Sequence, residues 1–168
     1  TGGTVTIPTK EYGASQNYDL GTDFSDNENT DGELTYTLAS GTMPTGTSLP
    51  SSGNTALTGT VGGNVGTYNF TIRATDEDNA YVDQAYTQVI TRQPTGGSIT
   101  TSGSYRIHTF TSSGTFTTYH ANQAVEYLII AGGAGGGGGW QAGGGGAGGY
   151  RTNVSGQTSG RGASAESS

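Results

Sequence analysis

The run Gly133-Ala134-Gly135-Gly136-Gly137-Gly138 follows the apolar stretch Tyr127 to Ala131 and satisfies G-x-G-x-x-G, the spacing of a phosphate-cradling loop. That chemistry requires a helix to start at the tract, so that its first amides meet the pyrophosphate. Here the chain continues GWQAGGGGAGGYR, and each glycine costs a helix about 1 kcal/mol relative to alanine. No acid stands near the position that would hold a ribose, since the next one after Glu126 is Glu166. Lys10 is the only lysine, so the Gly-Lys-Ser/Thr of a P-loop is absent as well. Thirteen of the eighteen residues 132–149 are glycine, and the match follows from composition.

The acids pose a calcium question. Asp76, Glu77, Asp78 and Asn79, with Asp83, could supply oxygen ligands. Asp23, Asp26, Glu28, Asp31 and Glu33 form a second cluster. One strand-end loop rarely supplies six ligands, so both groups are read as solvated turn acids, with Asp76, Asp78 and Asp83 the candidate calcium set. His108 and His120 are the only histidines. His108 sits in an alternating run with no acid or nucleophile beside it, and no G-x-S-x-G elbow exists. No catalytic or cofactor-binding residue is assigned, and a non-enzymatic protein is expected.

The elements that must position these residues are strands. With 32 glycines in 168 residues and 30% hydrophobic content, the chain can build one modest core but not a large one. Residues 1–94 hold eleven acids and three bases, a balance of −8, and the remainder holds two acids and three bases, +1. Such a surface argues against nucleic-acid binding. There is no cysteine for a disulfide or thiolate site, and no run reaches the length of a membrane-spanning helix. Thr4 to Ile7, Glu33 to Leu38, Thr67 to Ile72 and Ala85 to Thr91 alternate with period two, separated by turn clusters such as SGTMPTG and DEDNA. Short strands at this spacing predict an antiparallel β-sandwich over 1–94. Its expected core is Leu20, Phe24, Leu34, Tyr36, Leu38, Leu57, Tyr68, Phe70, Ile72 and Val89.

Residues 95–103 read as a linker, and SYRIHTFTSSGTFTTY as a hairpin turning at Ser112-Ser113-Gly114. Residues 104–168 then form a glycine-rich β module with a polar tail, which needs neighbours to order it. Its two tracts, 132–139 and 143–149, fit adjacent extended segments of the polyglycine II type, three residues per turn, with a reversal at Trp140-Gln141-Ala142. Trp140, Tyr150 and Arg151 border the tracts and are the candidate receptor contacts, since aromatics offer large rigid contact area. The competing reading packs them between the glycine segments.

Two resemblances follow from these residues. Ser40-Gly41-Thr42-Met43-Pro44-Thr45-Gly46, Thr58-Gly59-Thr60 and Gly66-Thr67-Tyr68-Asn69-Phe70-Thr71, closing on Ala74-Thr75-Asp76, resemble the Ig-like, cadherin-like repeats of bacterial and phage surface proteins. The departure is Thr47, where that pattern has an apolar residue. "YRIHTFTSSGTFT", "VEYLIIAGGAGGGGG" and "AGGGGAGGYRTN" resemble the glycine-rich domain of phage tail-fibre and other virion proteins, cyanophages among them. Members continue into another strand with a VGxGG motif, where this chain has Ser155 to Ser168. The resemblances imply a virion structural protein on an extracellular surface, most simply a tail-fibre or appendage segment for host attachment or shaft building. The partners implied are other virion proteins, a host-surface glycan or protein, and further copies of the chain, commonly as a trimer. A capsid or tail decoration protein and a bacterial surface adhesin are the alternatives.

Overall fold

The computed structural model describes residues 2–24, 34–51, 53–140 and 143–160, together with the backbone of 163–164. The chain divides into an N-terminal unit, Thr1–Ala121, and a C-terminal unit, Asn122–Ser168.

The N-terminal unit is a two-layer sandwich. Strands β1 (Val5–Glu11), β3 (Thr35–Gly41), β6 (Gly66–Thr75) and β7 (Tyr81–Thr91) form a four-stranded sheet in the order β1-β7-β6-β3. Strands β2 (Ser15–Asp19), β4 (Thr47–Ser48) and β5 (Ala56–Thr60) form the second sheet, β2-β5-β4. All pairings are antiparallel except β1 with β7, the first strand running parallel to the seventh. Ile7, Leu20, Phe24, Leu34, Tyr36, Leu57, Phe70, Ile72, Ala74 and Tyr86 make up the buried core.

Most of the expected core is in place, with three corrections. Leu38 is exposed because it lies on the edge strand β3, beside the register shift before Ser40. Tyr68 is only half-buried, its hydroxyl donating to Asn64 O at 2.8 Å. Val89 lies on the outer face of β7, whose buried face is Gln84, Tyr86, Gln88 and Ile90. Two glutamines on a core face are unexpected, and their bonds explain them. Gln84 Nε2 donates to Gly3 O at 2.7 Å, and Gln88 Nε2 to Pro8 O at 3.2 Å. Pro8 sits in the register shift between Ile7 and Lys10, where a missing N–H does least harm to the ladder. Gln88 also donates to Gln16 Oε1 at 2.9 Å, linking the two sheets. Thr47, the departure from the repeat pattern, turns its hydroxyl onto Pro44 O at 2.6 Å and so leaves no unpaired donor there.

Residues expected to form a linker hold a strand. β8 (Ser98–Ser102) pairs with β9 (Tyr105–Thr109) through the two-residue loop Gly103-Ser104, with Gly103 at φ 58. The expected turn at Ser112-Ser113-Gly114 therefore does not pair with β9, and beyond it only an isolated bridge forms, Thr95 with Thr117. The segment after β9 is fastened by aromatic and histidine contacts. Arg92 stacks on Tyr12 and Tyr119, its guanidinium carbon 4.2 and 3.9 Å from the ring centroids.

In the C-terminal unit, β10 (Leu128–Ile130) pairs antiparallel with β11 (Tyr150–Thr152), and β12 (Thr158–Ser159) with β13 (Ala163–Ser164). The polar tail folds back within the chain: Thr152 N–H donates to Ser159 Oγ at 3.2 Å, and both residues are buried.

Candidate functional site

Leu128, Ile129 and Ile130 face Thr152, Arg151 and Tyr150 in the β10–β11 ribbon. Beyond β10, the Asn153 side chain takes the place of a strand. It accepts from Tyr127 N–H and donates to Val125 O, each at 2.7 Å. On the other side the glycine tracts carry the same register forward. Ala131 N–H donates to Gly149 O, Ala134 to Gly146 and Gly137 to Gly143, at 2.8, 2.9 and 3.1 Å. These bonds recur at every third residue, whereas a β-ladder repeats at every second.

Glycine is needed where the two arms touch. A Cβ on Gly145 would meet the carbonyl oxygen of Ala134, and one on Gly148 that of Ala131. Positions 145 and 148 are again three apart, which fits one face in three being turned to the opposite arm.

The rungs are symmetric about Trp140, which forms the tip of the hairpin and is fully exposed, at 102%. It does not pack between the glycine segments. Tyr150 and Arg151 stand at the base, in the β10–β11 pairing, beyond all three rungs. The three candidate contacts therefore do not form one patch. Tyr150 belongs to a groove of about 460 Å³ with Leu128, Ile130, Gly148, Thr152, Val154 and Gln157. Sequence reading missed this groove. Its signal was the LII run: with no helix or third strand to cover it, a two-stranded ribbon leaves such residues open.

Two of the three candidate calcium acids are hydrogen-bonded within the hairpin. Asp83 accepts two bonds from its cross-strand neighbour Arg73, at 2.7 and 2.8 Å, and Arg73 lies 3.7 Å over the Tyr81 ring. The guanidinium holds the Asp83 carboxyl below the usual carboxylate range. Asp76 closes the β6–β7 turn by accepting from Ala80 N–H at 2.8 Å, and Asp78 is exposed. Among the described residues no group of three histidines, aspartates or glutamates could hold a metal ion. In the second cluster, Asp23 Oδ2 accepts from the Tyr18 and Tyr86 hydroxyls at 2.9 and 3.0 Å. Burial, reinforced by this carboxylate, pushes Tyr18 up to about 12 and raises Tyr86 further. Asp26, Glu28, Asp31 and Glu33 lie outside the described residues.

Each histidine has one ring nitrogen on a backbone carbonyl. His108 Nδ1 donates to Gly96 O at 2.8 Å, and its ring meets Phe116 edge-on at 4.9 Å. His120 Nε2 donates to Arg92 O at 3.1 Å.

Comparison with known proteins adds to this geometry. A family model described as "Putative Ig domain" matches residues 1–91. The solution structure of the PKD domain from the KIAA 1837 protein is similar over 55% of this chain and 92% of its own, at 22% identity and a TM-score of 0.33. No curated protein matches.

Proposed function

The chain belongs to the family described as "Putative Ig domain", and from that premise we propose that it is a non-enzymatic structural segment of a virion. It is a piece of a phage tail fibre or related appendage that contacts the host surface. In this reading the sandwich is a spacer, and the glycine hairpin is a thin arm that carries an aromatic group outward. The observation that carries the proposal is Trp140, fully exposed at the hairpin tip. A fully exposed tryptophan offers a large apolar area to a partner that covers it, and its flat face suits stacking on a sugar ring or an apolar protein pocket. The resemblance of residues 104–153 to tail-fibre glycine-rich domains supports the same reading.

The test is attachment of the fluorescently labelled full chain to host cells. Trp140→Ala is expected to lower retention about tenfold or more, as removal of a central aromatic anchor does, with the sandwich melting unchanged. Equal retention by the variant and the wild type would remove Trp140 as the contact.

A further inference from the structure

We propose that the sandwich is a load-bearing module, in which tension between its two ends is carried as shear between its first strand and its last. The chain enters the sandwich at β1 and leaves it after β7, and these two strands lie side by side and parallel. In a parallel pair the start of one strand and the end of the other stand at opposite ends of the ladder. A pull on Gly3 and Gln93 therefore runs along both strands. Every rung between them must stretch together, whereas the same bonds peeled from one end break singly.

Side chains of β7 extend this ladder and bridge its one gap. Val5 pairs with Tyr86, Thr6 with Thr87 and Ile7 with Gln88; pairing resumes at Lys10 with Ile90 and Glu11 with Thr91. The gap contains Pro8, which has no N–H to give. There the Gln88 amide donates to Pro8 O at 3.2 Å, and its bond to Gln16 Oε1 at 2.9 Å ties the same point to the other sheet. Before the first rung, Gln84 donates to Gly3 O at 2.7 Å. After the last, Tyr12 N–H donates to Thr91 O at 2.7 Å, and Arg92 lies over the Tyr12 ring. Residues 3 to 12 are thus held to β7 at both ends and across the defect.

Two further observations make this ladder the place where load is resisted. Gln84 and Gln88 are buried, so water is poorly placed to replace their bonds as these stretch. Within its sheet β1 has β7 as its one neighbour, and it carries Ile7 into the core. Detaching β1 therefore opens the core between the sheets. The inference does not rest on host attachment, since the clamp acts on any tension between the two ends.

Single-molecule force spectroscopy of the full chain tests it. Because the chain has no cysteine, two introduced thiols define the pulling axis. Gly3→Cys with Gln93→Cys loads β1 and β7 in shear; a Cβ on Gly3 meets nothing within 4 Å, and Gln93 is exposed. Glu11→Cys with Gln93→Cys pulls on adjacent ends of the same two strands and peels them apart. At equal loading rate the first pair is expected to rupture at a force at least about twofold above the second. Gln84→Leu, added to the shear pair, should unfold about two- to tenfold faster at fixed force, as loss of one hydrogen bond predicts. In the peeling pair the same substitution lies at the far end of the ladder and should leave the rupture force unchanged. Equal rupture forces in the two geometries would overturn the proposal. So would a Gln84→Leu effect of the same size in both, which would mark a general loss of stability.

Discussion

Tyr86→Ala is expected to destabilise the sandwich by about 3–5 kcal/mol, the range for removing a fully buried aromatic side chain. Tyr86 is one of the largest fully buried residues of the N-terminal unit. Its ring stacks on Phe70, with centroids 5.7 Å apart, and meets Tyr18 edge-on at 6.3 Å. Truncation removes both aromatic contacts, opens a cavity between the sheets, and leaves Asp23 with one of its two hydroxyl donors. The loss is large because β7 is a central strand, paired with β1 on one side and β6 on the other. Tyr86→Phe separates the contributions: it keeps the ring and removes only the bond to a carboxylate, for about 1.5–3 kcal/mol. Denaturant unfolding followed by circular dichroism reads both variants. Equal losses for Phe and Ala would mean that the hydroxyl, rather than ring packing, carries the contribution.

Gly148→Val should have the largest effect on the C-terminal unit. The added side chain meets the Ala131 carbonyl oxygen, a backbone group that cannot rotate aside as a flexible side chain would. Relief requires the arms to separate, which breaks the rung from Ala131 N–H to Gly149 O and uncouples those beyond it. With no apolar packing of its own to oppose separation, the hairpin should open throughout. Amide exchange reads this directly: protection at Ala131, Ala134 and Gly137 is expected to fall to that of an unstructured chain, while the β6–β7 amides keep theirs. Gly146→Ala is the control, because a Cβ there meets nothing within 4 Å. Retained protection in Gly148→Val would mean that the arms are not held in this register.

Much of the sandwich was legible in the sequence because its strands alternate cleanly. Tyr36, Phe70 and Ile72 fall on the buried side as period two requires. The β7 face was misread because Val89 outweighs a glutamine on any apolar scale. On that face the Gln84 amide bonds Gly3 O, just ahead of β1, and the Gln88 amide bonds Pro8 O within it. Strand β8 was hidden because SITTS, flanked by Gly97 and Gly103, has the composition of a linker. The Arg73–Asp83 pair was within reach: folding TDEDNAY as a tight hairpin sets those two residues opposite each other. In the glycine module, Gln141 and Ala142 of the expected reversal lie outside the described residues, and the rungs on either side centre on Trp140. That Tyr150 and Arg151 stand at the far end follows from the same symmetry, but their shared proximity to glycine disguised it. The groove escaped because nothing in an LII run says whether a second layer will cover it.

We propose that this chain is a structural part of a virion appendage. Immunogold electron microscopy tests it most directly, on intact phage particles carrying the gene, with an antibody raised against residues 1–168. Gold is expected on the tail fibres or related appendages. Gold confined to the capsid, or found only on bacterial cell walls with particles bare, would contradict it.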